Sequence, residues 1–90
     1  MINLSIRHTI TDYAKWRTGF DAHEAARRTA GATGVCQVYR DVENPSQITA
    51  MLEWDNADNA RKFANDPALK EVMHAAGVTG APELRFLNRA

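Results

Sequence analysis

The apolar residues of this chain change their spacing abruptly after residue 10. Ile2, Leu4 and Ile6 alternate with Asn3, Ser5 and Arg7, the two-residue period of a strand with one buried face. Tyr13, Trp16, Phe20, His23, Arg27 and Ala30 then recur at steps of three and four, which puts them on one stripe of a helix. A chain that begins this way must pack a helix against a sheet. His23 and Arg27 stand out because an apolar residue is expected at both places on that stripe.

Thr11 offers an N-cap for the helix, with Asp12 in its first turn, where the helix dipole favours a negative charge. Gly31 ends it, and 31-GATG-34 is its exit. Because that glycine pair follows a helix and not a strand, it is not a nucleotide-binding fingerprint. Val35 to Asp41 and Gln47 to Trp54 are rich in strand-forming residues and flank the turn 41-DVENPSQ-47. Asp55 or Asn56 can cap a short helix that turns Ala60, Phe63 and Ala64 inward. Asp66-Pro67 restarts a helix with Leu69, Val72, Met73 and Ala76 on one face. Gly77 closes it, 77-GVTGAP-82 reads as a loop, and Leu84 and Phe86 alternate with Arg85 and Leu87 in a last strand.

The order is βαββαβ, which predicts an α+β, ferredoxin-like domain over residues 1–90: a four-stranded antiparallel sheet with two helices on one face. Strand parity assigns Ile2, Leu4, Ile6, Ile48, Ala50, Leu52, Trp54, Leu84 and Phe86 to the helix side, with Cys36 and Val38 fitting that side best. Asn3, Ser5, Arg7, Gln37, Tyr39, Thr49, Met51, Glu53, Arg85 and Leu87 fall on the other face. That face is of intermediate polarity. A ninety-residue chain has a thin core, so pairing of this face with a second copy is favoured over a solvated surface.

Eleven basic and eleven acidic residues cancel and are interspersed, so no basic stripe suits a nucleic acid or an anionic membrane. No apolar run approaches the roughly 20 residues of a bilayer span, and Met1 to Ser5 lack a signal-peptide pattern. A cytoplasmic chain is expected. The single Cys36 has no partner for an internal disulfide and reads as a small strand residue. No metal-ligand spacing appears, so no metal or other cofactor is expected.

Tyr13, Trp16 and Phe20 with His23 make a wall of aromatic rings carrying one group that titrates near neutrality. The structural alternative for His23 is a core-edge histidine donating to a backbone carbonyl or a nearby carboxylate. His8 ends the first strand on the helix-facing parity, where it can reach the same pocket or simply finish an edge. His23 and His8 are therefore the candidate acid/base groups, and Tyr13, Trp16, Phe20 and Trp54 the candidate substrate walls. Arg27 is a candidate clamp for a carboxylate or phenolate, or else a stem covering apolar surface with a wet head.

The runs 6-IRHTITDYAKWRTGF-20, 38-VYRDVENPSQ-47, 52-LEWDN-56 and 66-DPALKEVMHAAGVTGAPELRFL-87 resemble the dimeric α+β barrel group, small bacterial proteins often called cyclases or antibiotic-biosynthesis-monooxygenase-like. The resemblance implies a homodimer whose sheets close into a barrel, with a pocket between sheet and helices in each subunit. It implies action on a small aromatic or carbonyl metabolite without a cofactor, cyclase-like or monooxygenase-like, or else a non-catalytic dimer that binds a metabolite or serves a structural role. Haem degradation, found in one branch, fits poorly. The spacing of that branch's iron-binding histidine after Trp54 falls on Ala64, and His74 lies off the buried stripe of its helix.

Overall fold

A computed structural model describes all of Met1–Ala90. In chain order it contains β1 (Ile2–Ile10), α1 (Tyr13–Ala22), α2 (Glu24–Ala30), β2 (Ala32–Arg40), β3 (Gln47–Trp54), α3 (Ala57–Asn65), α4 (Pro67–Ala75) and β4 (Val78–Leu87). The four strands form one antiparallel sheet in the order β2-β3-β1-β4. The ferredoxin-like α+β arrangement expected from the periodicity is present.

Each expected helical region is a pair of helices in series. The first bends at His23, whose backbone has φ −88° and ψ 0° and serves both as the C-cap of α1 and the N-cap of α2. Its N–H donates to the Gly19 and Phe20 carbonyls and its own carbonyl accepts from Arg27 at 3.1 Å. The stripe therefore continues through the bend.

Caps follow local chemistry. Asp12, and not Thr11, starts α1, its Oδ1 accepting from the Lys15 N–H at 3.3 Å. The Thr11 N–H instead donates to the Gly77 carbonyl, joining the entry of α1 to the end of α4. Asn56 caps α3 through the Asn59 N–H at 2.8 Å. Asp66 caps α4 through the Ala68 N–H at 2.9 Å, with Pro67 in the first turn, where its missing N–H costs nothing.

The segment expected as a loop, 78–82, is strand. β4 runs from Val78 and pairs with the end of β1 through Thr9↔Thr79 and Ile10↔Val78. The register slips between Arg7 and Thr9, and β4 lies at the sheet edge, where a proline such as Pro82 removes no ladder bond. β2, at the other edge, slips against β3 between Ala32 and Cys36.

Alternation along the two central strands builds the core. Leu4, Ile6, Leu52 and Trp54 join Ala60, Phe63 and Leu69 in one buried cluster. Ile10, Trp16, Ile48, Ala76 and Val78 form a second, and Phe20 and Met73 pack against both. The edges depart from the expected set. Phe86 is 40% exposed, with Arg61 over its ring at 5.9 Å, and Cys36 is exposed although its register with Leu52 matches the expected parity. Both lie on strands that the helices leave partly uncovered.

Candidate functional site

The central strand β1 carries His8 into the interior, where it is 6% exposed. Its ring meets Trp16 edge-on, with centroids 5.7 Å apart. Neither ring nitrogen has a hydrogen-bond partner. Burial lowers the His8 pKa from 6.5 to about 4, so near neutrality the ring is uncharged and holds one N–H donor and one free lone pair. A buried polar group left unanswered is costly and uncommon, and such groups gather at functional sites.

His8 faces a cavity of about 40 Å3 between the sheet and the helices. The interior has room for a few waters and not for a ligand of the usual 300–1,000 Å3 site. Its lining is apolar except for Gly19, His8, His23 and Arg27. Ile6, Ala50 and Leu52 form the floor from β1 and β3, Trp16 and Phe20 one wall from α1, and Phe63, Leu69 and Met73 the opposite side from α3 and α4. Gly19 lets α1 approach α4 closely, since a Cβ there would come within 3.0 Å of the Ala76 Cβ.

Arg27 enters from α2. Of its two expected arrangements, an anion clamp or a stem with a wet head, the wet head is not found, since the residue is only 5% exposed. Its Nη1 donates to the Phe20 carbonyl at 2.8 Å, and its Cζ lies 4.0 Å from the centre of the Phe20 ring. None of the ion pairs in the protein includes it. Burial draws its pKa down, with Cys36, Glu24 and Asp21 offsetting part of the effect, and a guanidinium stays charged at any working pH. A buried cation without a carboxylate thus borders the same cavity as a buried neutral imidazole.

His23, at the bend between α1 and α2, is half-buried. Its ring centre is 5.9 Å from that of Phe63, and its side chain makes no capping bond. The backbone-bonded core-edge arrangement is therefore absent. Burial lowers its pKa, Arg27 adds to the lowering, and Asp66 works against both.

The structure brings together five of the seven residues singled out from sequence: His8, Trp16, Phe20, His23 and Arg27 all line the cavity. Trp54 and Tyr13 do not. Trp54 is fully buried with its ring 4.9 Å from that of Phe63 and its Nε1 unpartnered. Tyr13 stands at the outer end of the aromatic row, 6.0 Å from Trp16 and beneath Arg40. Leu52, Phe63 and Met73 were legible as core positions, but nothing in their spacing separates a core residue that borders a void from one that does not. His74 is exposed on α4, as its helical phase predicts. No group of three or more His, Cys, Asp or Glu side chains is placed to hold a metal ion.

No family model matches the chain, and no curated protein does. Solved structures do. A provisionally named antibiotic biosynthesis monooxygenase from Bordetella bronchiseptica superposes with a TM-score of 0.81 at 16% identity, covering 99% of this chain and 96% of that one. SnoaB, a cofactor-independent oxygenase from Streptomyces nogalater, gives 0.75 at 16% identity, covering 99% and 92%. A further provisionally named antibiotic biosynthesis monooxygenase, from Caulobacter crescentus CB15, gives 0.71 at 18% identity over 99% and 89%. The chain has the fold of the antibiotic-biosynthesis-monooxygenase-like proteins over essentially its whole length.

Proposed function

We propose that this chain binds a small phenol or enolisable carbonyl compound between its sheet and helices and activates it by proton abstraction, without a cofactor, as a homodimer. The observation that carries this reading is the pairing of an unpartnered, neutral His8 with an Arg27 that makes no direct ion pair, around one apolar cavity. The shared fold with a cofactor-independent oxygenase supports it.

The chemistry follows from charge. A neutral imidazole takes the substrate proton, leaving an anion beside the Arg27 guanidinium. In the unliganded cavity His8 is a weak base, because burial disfavours its cation. The forming phenolate or enolate supplies the counterion and raises the His8 pKa at the moment of transfer. Arg27 holds the anion, and the rings of Trp16 and Phe20 keep the substrate flat and water out. Such an electron-rich anion can react with dioxygen or with an internal electrophile.

The homodimer accounts for the outer sheet face. Tyr39 and Leu87 are exposed there at 55% and 39%, and Met51 sits in register between Gln37 and Ser5. Pairing these faces around a two-fold axis would cover them.

The test is NMR titration of the protein with a panel of small phenols and enolisable ketones, followed by oxygen-uptake and absorbance assays on those that bind. His8→Gln is expected to retain binding and to lower kcat by at least about 100-fold. A panel that leaves the His8 resonances unmoved, or a His8→Gln variant that turns over like the parent, would discard the catalytic reading. The second reading is a non-catalytic binder of the same compounds, for which the apolar lining of the cavity suffices. Binding with no turnover in either protein would select it.

A further inference from the structure

The cavity holding His8 borders two surface hollows, and the two partitions differ in how firmly they are fastened. On one side Phe20, Arg27 and Leu52 separate it from a surface crevice of about 130 Å3 that also touches Cys36 and Arg28. On the other, His23, Phe63 and Leu69 separate it from a hollow of about 170 Å3 lined by Ala26 and Ala30 of α2 and by Lys62 and Asp66. The first partition is pinned, because Arg27 is hydrogen-bonded to the Phe20 carbonyl and its Cζ sits over the Phe20 ring. In the second, Phe63 and Leu69 are core residues, while the His23 ring makes no hydrogen bond, is half-buried, and stems from the one residue where α1 gives way to α2.

We propose that His23 is the portal residue of the cavity: its side chain closes the passage from the hollow between α2 and the α3–α4 pair, and its size sets which small aromatic solutes reach His8. The proposal rests on the cavity being the binding site and gives His23 a task distinct from the proton transfer assigned to His8. Three features support the assignment. The His23 ring borders both the inner void and the outer hollow. Rotation about its side-chain torsions breaks no hydrogen bond of the ring. The ring can turn without unravelling a helical turn, since the bonds from the His23 N–H to the Gly19 carbonyl and from the Arg27 N–H to the His23 carbonyl belong to the main chain.

Acylation of His8 by diethyl pyrocarbonate tests the portal without requiring turnover, because the reagent must enter the cavity to reach the ring. Modification is followed by peptide mass spectrometry, with exposed His74 in the same sample reporting intrinsic reagent activity. His23→Ala is expected to raise the rate at His8 roughly tenfold, and His23→Trp to lower it by a similar factor, as a change in local opening would produce. Cys36→Trp, which fills the crevice behind Arg27, is expected to leave the rate unchanged. The portal is overturned if His8 reacts at the parental rate in both position-23 variants, or if Cys36→Trp is the substitution that slows it. Acceleration by His23→Ala and His23→Trp alike would also overturn it, because that pattern means loosening of the helix pair. None of these results depends on catalysis, so the portal and the proposed activity can fail separately.

Discussion

Arg27 sits over the ring of Phe20, its Cζ 4.0 Å from the ring centre, while its Nη1 donates to the carbonyl of that same residue. One aromatic residue thus supplies both the stacking surface and the hydrogen bond for a guanidinium that has no carboxylate. Contacts of this kind hold a cation in place without neutralising it, and its charge remains available to an anionic ligand.

Replacing the charge while keeping the stem separates these roles. Arg27→Met is expected to leave the folding free energy within about 1 kcal/mol of the parent, since the stem packing survives and the desolvation cost of the cation disappears. Affinity for a phenolate or carboxylate ligand is expected to fall by at least tenfold, consistent with a charged hydrogen bond of about 1.5–3 kcal/mol. Urea denaturation and ligand titration on the same samples check both. A variant that loses several kcal/mol of stability and no affinity would make Arg27 a structural residue.

His8 makes stability depend on pH in a definite direction. Its folded pKa is about 4 against an ordinary 6.5, so between those values the unfolded chain binds more protons than the folded one. Stability therefore rises with pH through this window and is lost as pH falls from about 6.5 to 4, by about 3 kcal/mol from this residue. His8→Phe is expected to flatten that part of the curve and to gain about 1–2 kcal/mol at pH 7, because an unpartnered polar ring leaves the core. Denaturation curves from pH 4 to 7 measure both effects. An unaltered slope in the variant would assign the acid sensitivity to other groups.

The outer sheet face carries the expectation of a homodimer. Met51→Lys places a charge near its middle, opposite Ser5 and Gln37, and is expected to weaken association by at least about 2 kcal/mol while leaving the helix-side core intact. Sedimentation velocity over a concentration series reads the result. A parent protein that stays monomeric at high concentration, or a variant that dimerises equally well, would remove the dimer from the proposal.

Much of this architecture was legible because it depends on periodicity. The alternation at Leu4 and Ile6 and at Ile48 to Trp54 placed the central strands correctly, and Asp66-Pro67 marked a helix start that the structure keeps. Where the reading failed, an edge or a local competition decided. Gly80 and Pro82 read as loop residues because their strand is at the sheet edge, where the usual penalties do not apply. Asp12 displaced Thr11 as the cap because the Thr11 N–H had a distant partner in Gly77, invisible to any local rule. His8, readable as the end of an edge, sits on a central strand, and the strand order that buries it is a property of the whole sheet. Five of the seven proposed site residues meet because they share a stripe or a strand face. Whether a void lies between those faces depends on how closely α1 and α4 approach, which Gly19 controls.

The irregularities of the two outer strands bear on how copies of this chain can meet. β2 breaks register between Ala32 and Cys36, and β4 contains Pro82, which has no N–H to offer. Neither rim of the sheet therefore presents an unbroken row of donors and acceptors to a neighbouring backbone. Such irregular edges disfavour extended, fibril-like growth by strand addition and leave association to surfaces built from side chains, where the number of partners is finite.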